Sequence, residues 1–167
     1  MEKTQGFSPR AIGDAHIIIL GSMPGKVSLS AAQYYAHSRN AFWAIIETHF
    51  SVPCELPYEA RLNLLTEKGV ALWDVMKSCT RESSLDSDIV ASSIVPNDLE
   101  GFFLSHPNIR YVFLNGAQAM QSYVKHVLPA LSESHRNIPY QRLPSTSPAN
   151  AAMTLAEKIE AWSVIAQ

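Results

Sequence analysis

Ile17-Ile18-Ile19-Leu20 is apolar at every position, so a strand built from it has two water-averse faces rather than one. With Ala15 and His16 it reads as a strand buried inside a parallel sheet, because β-branched residues run without alternation. Such a strand needs cover on both sides, and helices supply it in α/β folds. The run breaks into Gly21-Ser22-Met23-Pro24-Gly25. A second strand-loop-helix pattern stands near the C-terminus, where Gln141-Arg142-Leu143 leads into Pro144-Ser145-Thr146-Ser147-Pro148-Ala149-Asn150. Neither loop carries a bulky charge. Parallel neighbouring strands would project both loops from one sheet edge, the edge at which open α/β folds bind ligands.

The rest of the chain fits that frame. Apolar positions Phe42, Trp43, Ile46 and Phe50 have helical spacing and predict a helix from about Asn40 to Phe50, ended by Pro53 and Pro57. Tyr58 to Lys68 reads as a helix stopped at Gly69, and Val70 to Val75 as the second strand. Thr80 to Asp88 is polar and reads as a loop. A short helix over Asp98–Leu104, a strand over Ile109–Leu114 and a helix over Ala117–Leu128 follow. The last helix is expected over Ala149–Ile165, with Ser147 as N-cap and Pro148 in its first turn. Strands alternating with helices over 167 residues predict one domain, 1–167. Its fold class is α/β, a three-layer α/β/α sandwich on a central four-stranded parallel sheet.

Several function classes drop out. No apolar run reaches membrane-spanning length, and Met1-Glu2-Lys3-Thr4-Gln5-Gly6 has no apolar signal core, so a cytoplasmic protein without membrane partners is expected. The two cysteines, Cys54 and Cys79, are too few for a disulfide scaffold or a four-cysteine cluster. The six histidines form no zinc-ligand pattern. Gly21 to Lys26 is not a phosphate-binding Walker loop: only three residues separate its glycines, and Val27 replaces the metal-binding hydroxyl residue. G-x-G-x-x-G and G-x-S-x-G are absent. No cofactor is implied. A net charge of −2 leaves any phosphate contacts to local cations and backbone amides, with His37 and Arg39 as candidates.

The first loop, the run Tyr34-Tyr35-Ala36-His37-Ser38-Arg39-Asn40-Ala41-Phe42-Trp43 and Leu143-Pro144-Ser145-Thr146-Ser147-Pro148-Ala149-Asn150 together resemble the uracil-DNA glycosylase superfamily. The likeness is greatest to its DNA-deoxyinosine (hypoxanthine-DNA) glycosylase branch. Trp73-Asp74-Val75, Ser84-Leu85-Asp86-Ser87 and Phe113-Leu114-Asn115-Gly116 fit the same branch, so the resemblance covers nearly the whole chain. It implies a four-stranded parallel sheet between helices, DNA containing deaminated bases as partner, and base excision as chemistry; a monomer is expected. Such an enzyme flips a nucleotide into a pocket, holds a water near the sugar and stabilises the departing base.

By the same resemblance, Asn40 is the catalytic candidate. Many superfamily members position the water with an Asp or Asn inside the first loop, but Met23 stands there, and a thioether is a poor acceptor. Asn40 can orient water, contact the base, or simply cap the helix behind it. The resemblance sets Ser22, Met23, Gly25, Phe42 and Asp74 against the base. Phe42 would stack on it, for about 1–3 kcal/mol, or belong to the core. Gly25 would leave room for a purine where uracil-specific relatives carry a bulky aromatic, or serve as a turn glycine with positive φ. Asp74 would accept from the base's ring N–H, or cap a turn. Gly21, Pro24, Ser145, Thr146, Ser147, Pro148 and Asn150 are set against DNA. Some relatives carry a base-stabilising histidine in the last loop, and this chain has Ser145 or Thr146. Ser84 to Ser87 reads as a structural loop. The resulting expectation is a monofunctional glycosylase removing hypoxanthine; a uracil or mismatch glycosylase, a non-catalytic lesion binder and a small-molecule α/β enzyme using the same sheet edge are the alternatives.

Overall fold

The computed structural model describes residues 2–167. In chain order the strands are β1 (Lys3–Gln5), β2 (Ile17–Gly21), β3 (Val70–Asp74), β4 (Met76–Thr80), β5 (Val95–Pro96), β6 (Tyr111–Asn115) and β7 (Tyr140–Leu143). The helices are α1 (Lys26–Ala31), α2 (Phe42–Phe50), α3 (Tyr58–Glu67), α4 (Leu99–Ser105), α5 (Ala117–Ser122), α6 (Glu133–Arg136) and α7 (Leu155–Ala161).

Four strands form the expected sheet in the order β3-β2-β6-β7, and each neighbouring pair runs parallel. The apolar run of β2 explains itself in the packing. Ile17 and Ile19 join Phe42, Ile45 and Ile46 of α2, Leu62 and Leu65 of α3, and Trp162 on one face. Ile18 and Leu20 join Leu99, Phe102 and Phe103 of α4 with Ala119 of α5 and Tyr123 on the other. Successive residues thus serve opposite cores, and a polar residue at any of them would be buried without a partner. The chain leaves β2 towards β3 on one side, and β6 towards β7 on the other. The switch point therefore lies between the C-terminal ends of β2 and β6, where Gly21 and Asn115 stand.

A second, antiparallel sheet in the order β1-β4-β5 was not expected. Its strands are short, and β4, Met-Lys-Ser-Cys-Thr, lacks apolar periodicity. The chain turns out of β3 into β4 at Val75, whose N–H donates to Gly21 O at 2.8 Å. Three helical segments also differ from expectation. The expected helix over Ala117–Leu128 is helical only in pieces, with α5 opening into a wider π-type turn over Tyr123–Val127. A first-loop helix, α1, was missed. The last helix begins at Leu155, not Ala149. Thr154 and Glu157 form a reciprocal capping box, which satisfies two N-terminal donors at once, whereas Ser147 and Pro148 lie in a turn upstream. Gly69 ends α3 as expected, at φ +86°, with no room for a Cβ beside the His16 ring.

Candidate active site

The C-terminal ends of β2, β3, β6 and β7 open into one cavity of about 1250 Å³. Its lining includes Gly21 to Gly25, Asn40, Asp74, Asn115 and Ser145 to Asn150, so the two terminal loops do meet. That volume exceeds what a small-molecule pocket usually needs and matches a pocket joined to a groove.

The loops are latched together from below. Thr146, 1% exposed, receives the Asn115 Nδ2–H on its Oγ1 at 3.0 Å. Its own N–H donates to Asn115 Oδ1 at 3.0 Å. The Ala41 N–H, at the start of α2, donates to Thr146 O at 2.9 Å. Thr146 is thus a buried clamp, which corrects its expected place on the DNA. At the surface the last loop satisfies itself: the Ser147 N–H donates to Ser145 Oγ at 3.2 Å, and Asn150 Nδ2 to Ser145 O at 3.1 Å. The Ala149 N–H donates to Ser147 Oγ at 3.1 Å, and the buried Lys158 donates to Ser147 O at 3.2 Å. Pro148 lines the same rim.

Asn40 borders the cavity, and its Oδ1 accepts the Phe42 N–H at 2.9 Å. That bond fixes the amide plane and identifies the oxygen, because a backbone donor requires an acceptor. The second lone pair of Oδ1 and the Nδ2 hydrogens remain for other partners. Phe42 does not reach the cavity: its ring is fully buried and stacks on Tyr35 with centroids 3.9 Å apart. This corrects the expected base-stacking role, since α2 turns Phe42 inward while Tyr35, with Tyr34, lines the cavity. Tyr35 adopts a left-handed conformation, φ 57°, which a non-glycine residue holds only when its surroundings impose it.

The first loop is rigidly held. Gly21 pairs with Asp74 in the sheet register. A Cβ on Gly21 would lie 2.5 Å from Asp74 Oδ1, so glycine is what lets the carboxyl fold over the loop. Gly21 is buried and acts as a spacer, which corrects its expected contact with DNA. Ser22 Oγ donates to Asp86 Oδ1 at 2.7 Å. Met23 packs with Met76 and Cys79. The Pro24 carbonyl accepts from the buried Arg81 guanidinium, and the Lys26 N–H donates to Ser84 Oγ at 2.9 Å. Pro24 itself is buried. Gly25 has φ −72°, so the turn-glycine alternative fails there, and a Cβ would touch only Ser84 at 3.5 Å.

The polar floor is incompletely paired. Asp74 Oδ2 and Arg81 Nη1 have no hydrogen-bond partner among the described residues. Burial, then the Asp86 charge, push Asp74 up to about 7, against the opposing Arg81. Burial also raises Asp86, opposed by the Ser22 hydrogen bond and Arg81. Tyr35 is raised by burial and by Asp74, and stays neutral. Lys26, Arg39 and Arg142 are exposed at the cavity's edge, with His37 half-buried beside them.

Sequence reasoning missed Tyr35, Arg81 and Asp86 as parts of this floor. Ser84-Leu85-Asp86-Ser87 was visible as a motif, but nothing local said that Asp86 reaches Ser22, 64 positions away.

The comparisons agree with this geometry. The model of the uracil DNA glycosylase superfamily matches residues 10–166. A hypoxanthine DNA glycosylase of Methanosarcina barkeri is 35% identical over 118 residues, 70% of this chain and 73% of that one. A hypoxanthine DNA glycosylase of Methanosarcina acetivorans is 31% identical over 147 residues, 83% of this chain and 92% of that one. The solution NMR structure of a Methanosarcina acetivorans protein, provisionally called a uracil DNA glycosylase, superposes with a TM-score of 0.79 at 28% identity, covering 99% of this chain and 100% of that one. With the sheet order, the switch-point cavity and a family match across nearly its whole length, the chain belongs to the uracil DNA glycosylase superfamily.

Proposed function

We propose that this chain is a monofunctional DNA glycosylase that flips a deaminated base, foremost hypoxanthine, out of DNA and hydrolyses its N-glycosidic bond. The observation that carries this reading is the convergence of Asn40, Asp74, the glycine-lined first loop and the last loop on one cavity. The names of the two Methanosarcina relatives support the choice of hypoxanthine. Room supports it too, because Gly25 is glycine without backbone need and leaves space where a side chain would narrow the pocket.

In this reading Tyr35 offers its ring to the flipped base, with Phe42 behind it as a rigid backing. Ser22 and Met23 shape the floor. Asp74 meets the base edge, and Asn40 holds the attacking water on its free lone pair. An amide is too weak a base to take the water's proton at neutral pH, so the rate comes from position and from stabilised charge. Ser145, Ser147, Pro148 and Asn150 contact the DNA, and Lys26, Arg39 and Arg142 neutralise its phosphates. In this reading the protein acts as a monomer.

The test is incubation of an inosine-containing duplex with purified protein, followed by chromatography of free bases. Release of hypoxanthine without strand nicking is expected, and Asn40→Ala slows it by about 10²-fold or more. DNA left intact by wild-type protein overturns the reading, and faster release of uracil than hypoxanthine overturns the base assignment.

A further inference from the structure

Two carboxyl groups line the cavity, Asp74 and Asp86, and their partners differ. Asp86 accepts from Ser22 Oγ at 2.7 Å, and Arg81 lies close enough to favour its charge. Asp74 is 4% exposed, and its Oδ2 has no hydrogen-bond partner. Among the described residues no Lys, Arg or His forms an ion pair with it. The charged and titratable groups that face it are Asp86 from the loop after β4, Arg81 at the end of β4, and the phenols of Tyr34 and Tyr35. A lone carboxylate there bears a heavy desolvation penalty, to which the Asp86 charge adds. Protonation removes both.

We propose that Asp74 meets the flipped base as a neutral carboxylic acid, the carboxyl oxygen it turns to the cavity donating its proton in a hydrogen bond to the base's carbonyl oxygen. The proposal deepens the glycosylase reading and rests on it. A protonated carboxyl is a hydrogen-bond donor, which an ionised one is not. As the C1′–N9 bond breaks, its electron pair stays on the base, and negative charge spreads to the carbonyl oxygen. A donor already aimed there stabilises that charge without reorganising. The water oxygen forms the new bond to C1′, and the proton the water loses goes through solvent to the base. Asp74 keeps its own proton throughout. Ionised, the same group would repel the leaving base. Its midpoint of about 7 puts the change between the two forms within the working range.

The experiment is a pH series, from about 5 to about 9, of single-turnover hypoxanthine release by wild type, Asp74→Asn and Asp74→Leu. Wild type should lose about tenfold in rate per pH unit above about pH 7. Asp74→Asn, whose amide donates and accepts at every pH, should lose that alkaline limb. Asp74→Leu should be slow by about 10²-fold at every pH. An infrared carboxylic-acid band, present in wild type below neutral pH and missing from Asp74→Asn, reads the protonation without any turnover. An active wild type whose alkaline limb persists in Asp74→Asn, or whose carboxylic-acid band is absent, overturns this proposal alone. A wild type that releases no hypoxanthine at any pH overturns the glycosylase reading, and this proposal with it.

Discussion

The floor and the rim of the cavity are built on opposite principles. The floor, from Gly21 to Gly25 with Asp74, Asp86 and Tyr35, is largely buried and leaves polar atoms unpaired. The rim, Ser145 and Ser147 to Asn150, is largely satisfied by hydrogen bonds of its own and stands beside exposed cations, with only Thr146 reaching down into the buried latch. Unpaired groups in a dry place destabilise the fold and bind strongly. Satisfied groups in water do neither, and act through charge that salt can screen. Substitutions in the floor should therefore change the chemical step and the response of stability to pH. Substitutions at the rim should change DNA affinity and its response to salt.

The sharpest test of that contrast is the pH dependence of stability. Asp74 is raised to about 7 in the folded protein, so between the ordinary carboxylate range and pH 7 the native state holds a proton that the unfolded chain has released. Stability is then greatest at the acid end of this window and falls as pH rises, by about 4 kcal/mol in all. Urea unfolding of Asp74→Asn should show that slope flattened, with no such change for a rim variant. Gly21→Ala comes next. Its Cβ would meet Asp74 Oδ1 at 2.5 Å, and displacement of the carboxyl should slow single-turnover excision by about 10-fold to 10²-fold. At the rim, Arg39→Ala and Arg142→Ala should each weaken DNA binding by a few-fold, and lower the slope of log affinity against log salt by about 1 for each phosphate left without its cation. A change in the excision rate at saturating enzyme, with that slope intact, would break the division. The smallest effect belongs to Gly25→Ala. The backbone tolerates it and the new contact is ordinary, so stability should shift by less than about 0.5 kcal/mol, while purine release slows more than uracil release.

The fold was largely legible because the signal was local. Ile17 to Leu20 needs cover on both faces, and that requirement implies a parallel sheet between helices. The start of α7 was misplaced because Ser147-Pro148 is a good N-terminal signal by itself. Thr154 and Glu157 offered a better one nearer the apolar face, and two reciprocal hydrogen bonds outweigh one. The small sheet was hidden because strands of three and two residues carry no period to detect. At the site, Gly25, Asn40 and Asp74 were visible as pattern. The inward turn of Phe42, the left-handed Tyr35 and the Ser22–Asp86 and Thr146–Asn115 pairs were not. Those are decisions of tertiary packing, between positions 64 and 31 apart in the two pairs, and no window along the chain contains them.

The Thr146 clamp has a consequence for what lengths this chain tolerates. Its three bonds set the spacing from β7 to the latch, and Asn150 ties the next few residues back to Ser145. Thr154 then starts the capping box of α7. Ala151, Ala152 and Met153 lie between the two, outside both sets of ties. An added or deleted residue upstream of Asn150 would pull the start of α2, and Asn40 with it, out of place. The same change at 151–153 would leave the Thr146 latch and the capping box of α7 in place. Variation in loop length can therefore accumulate at that one spot without disturbing the latch that holds the two terminal loops together.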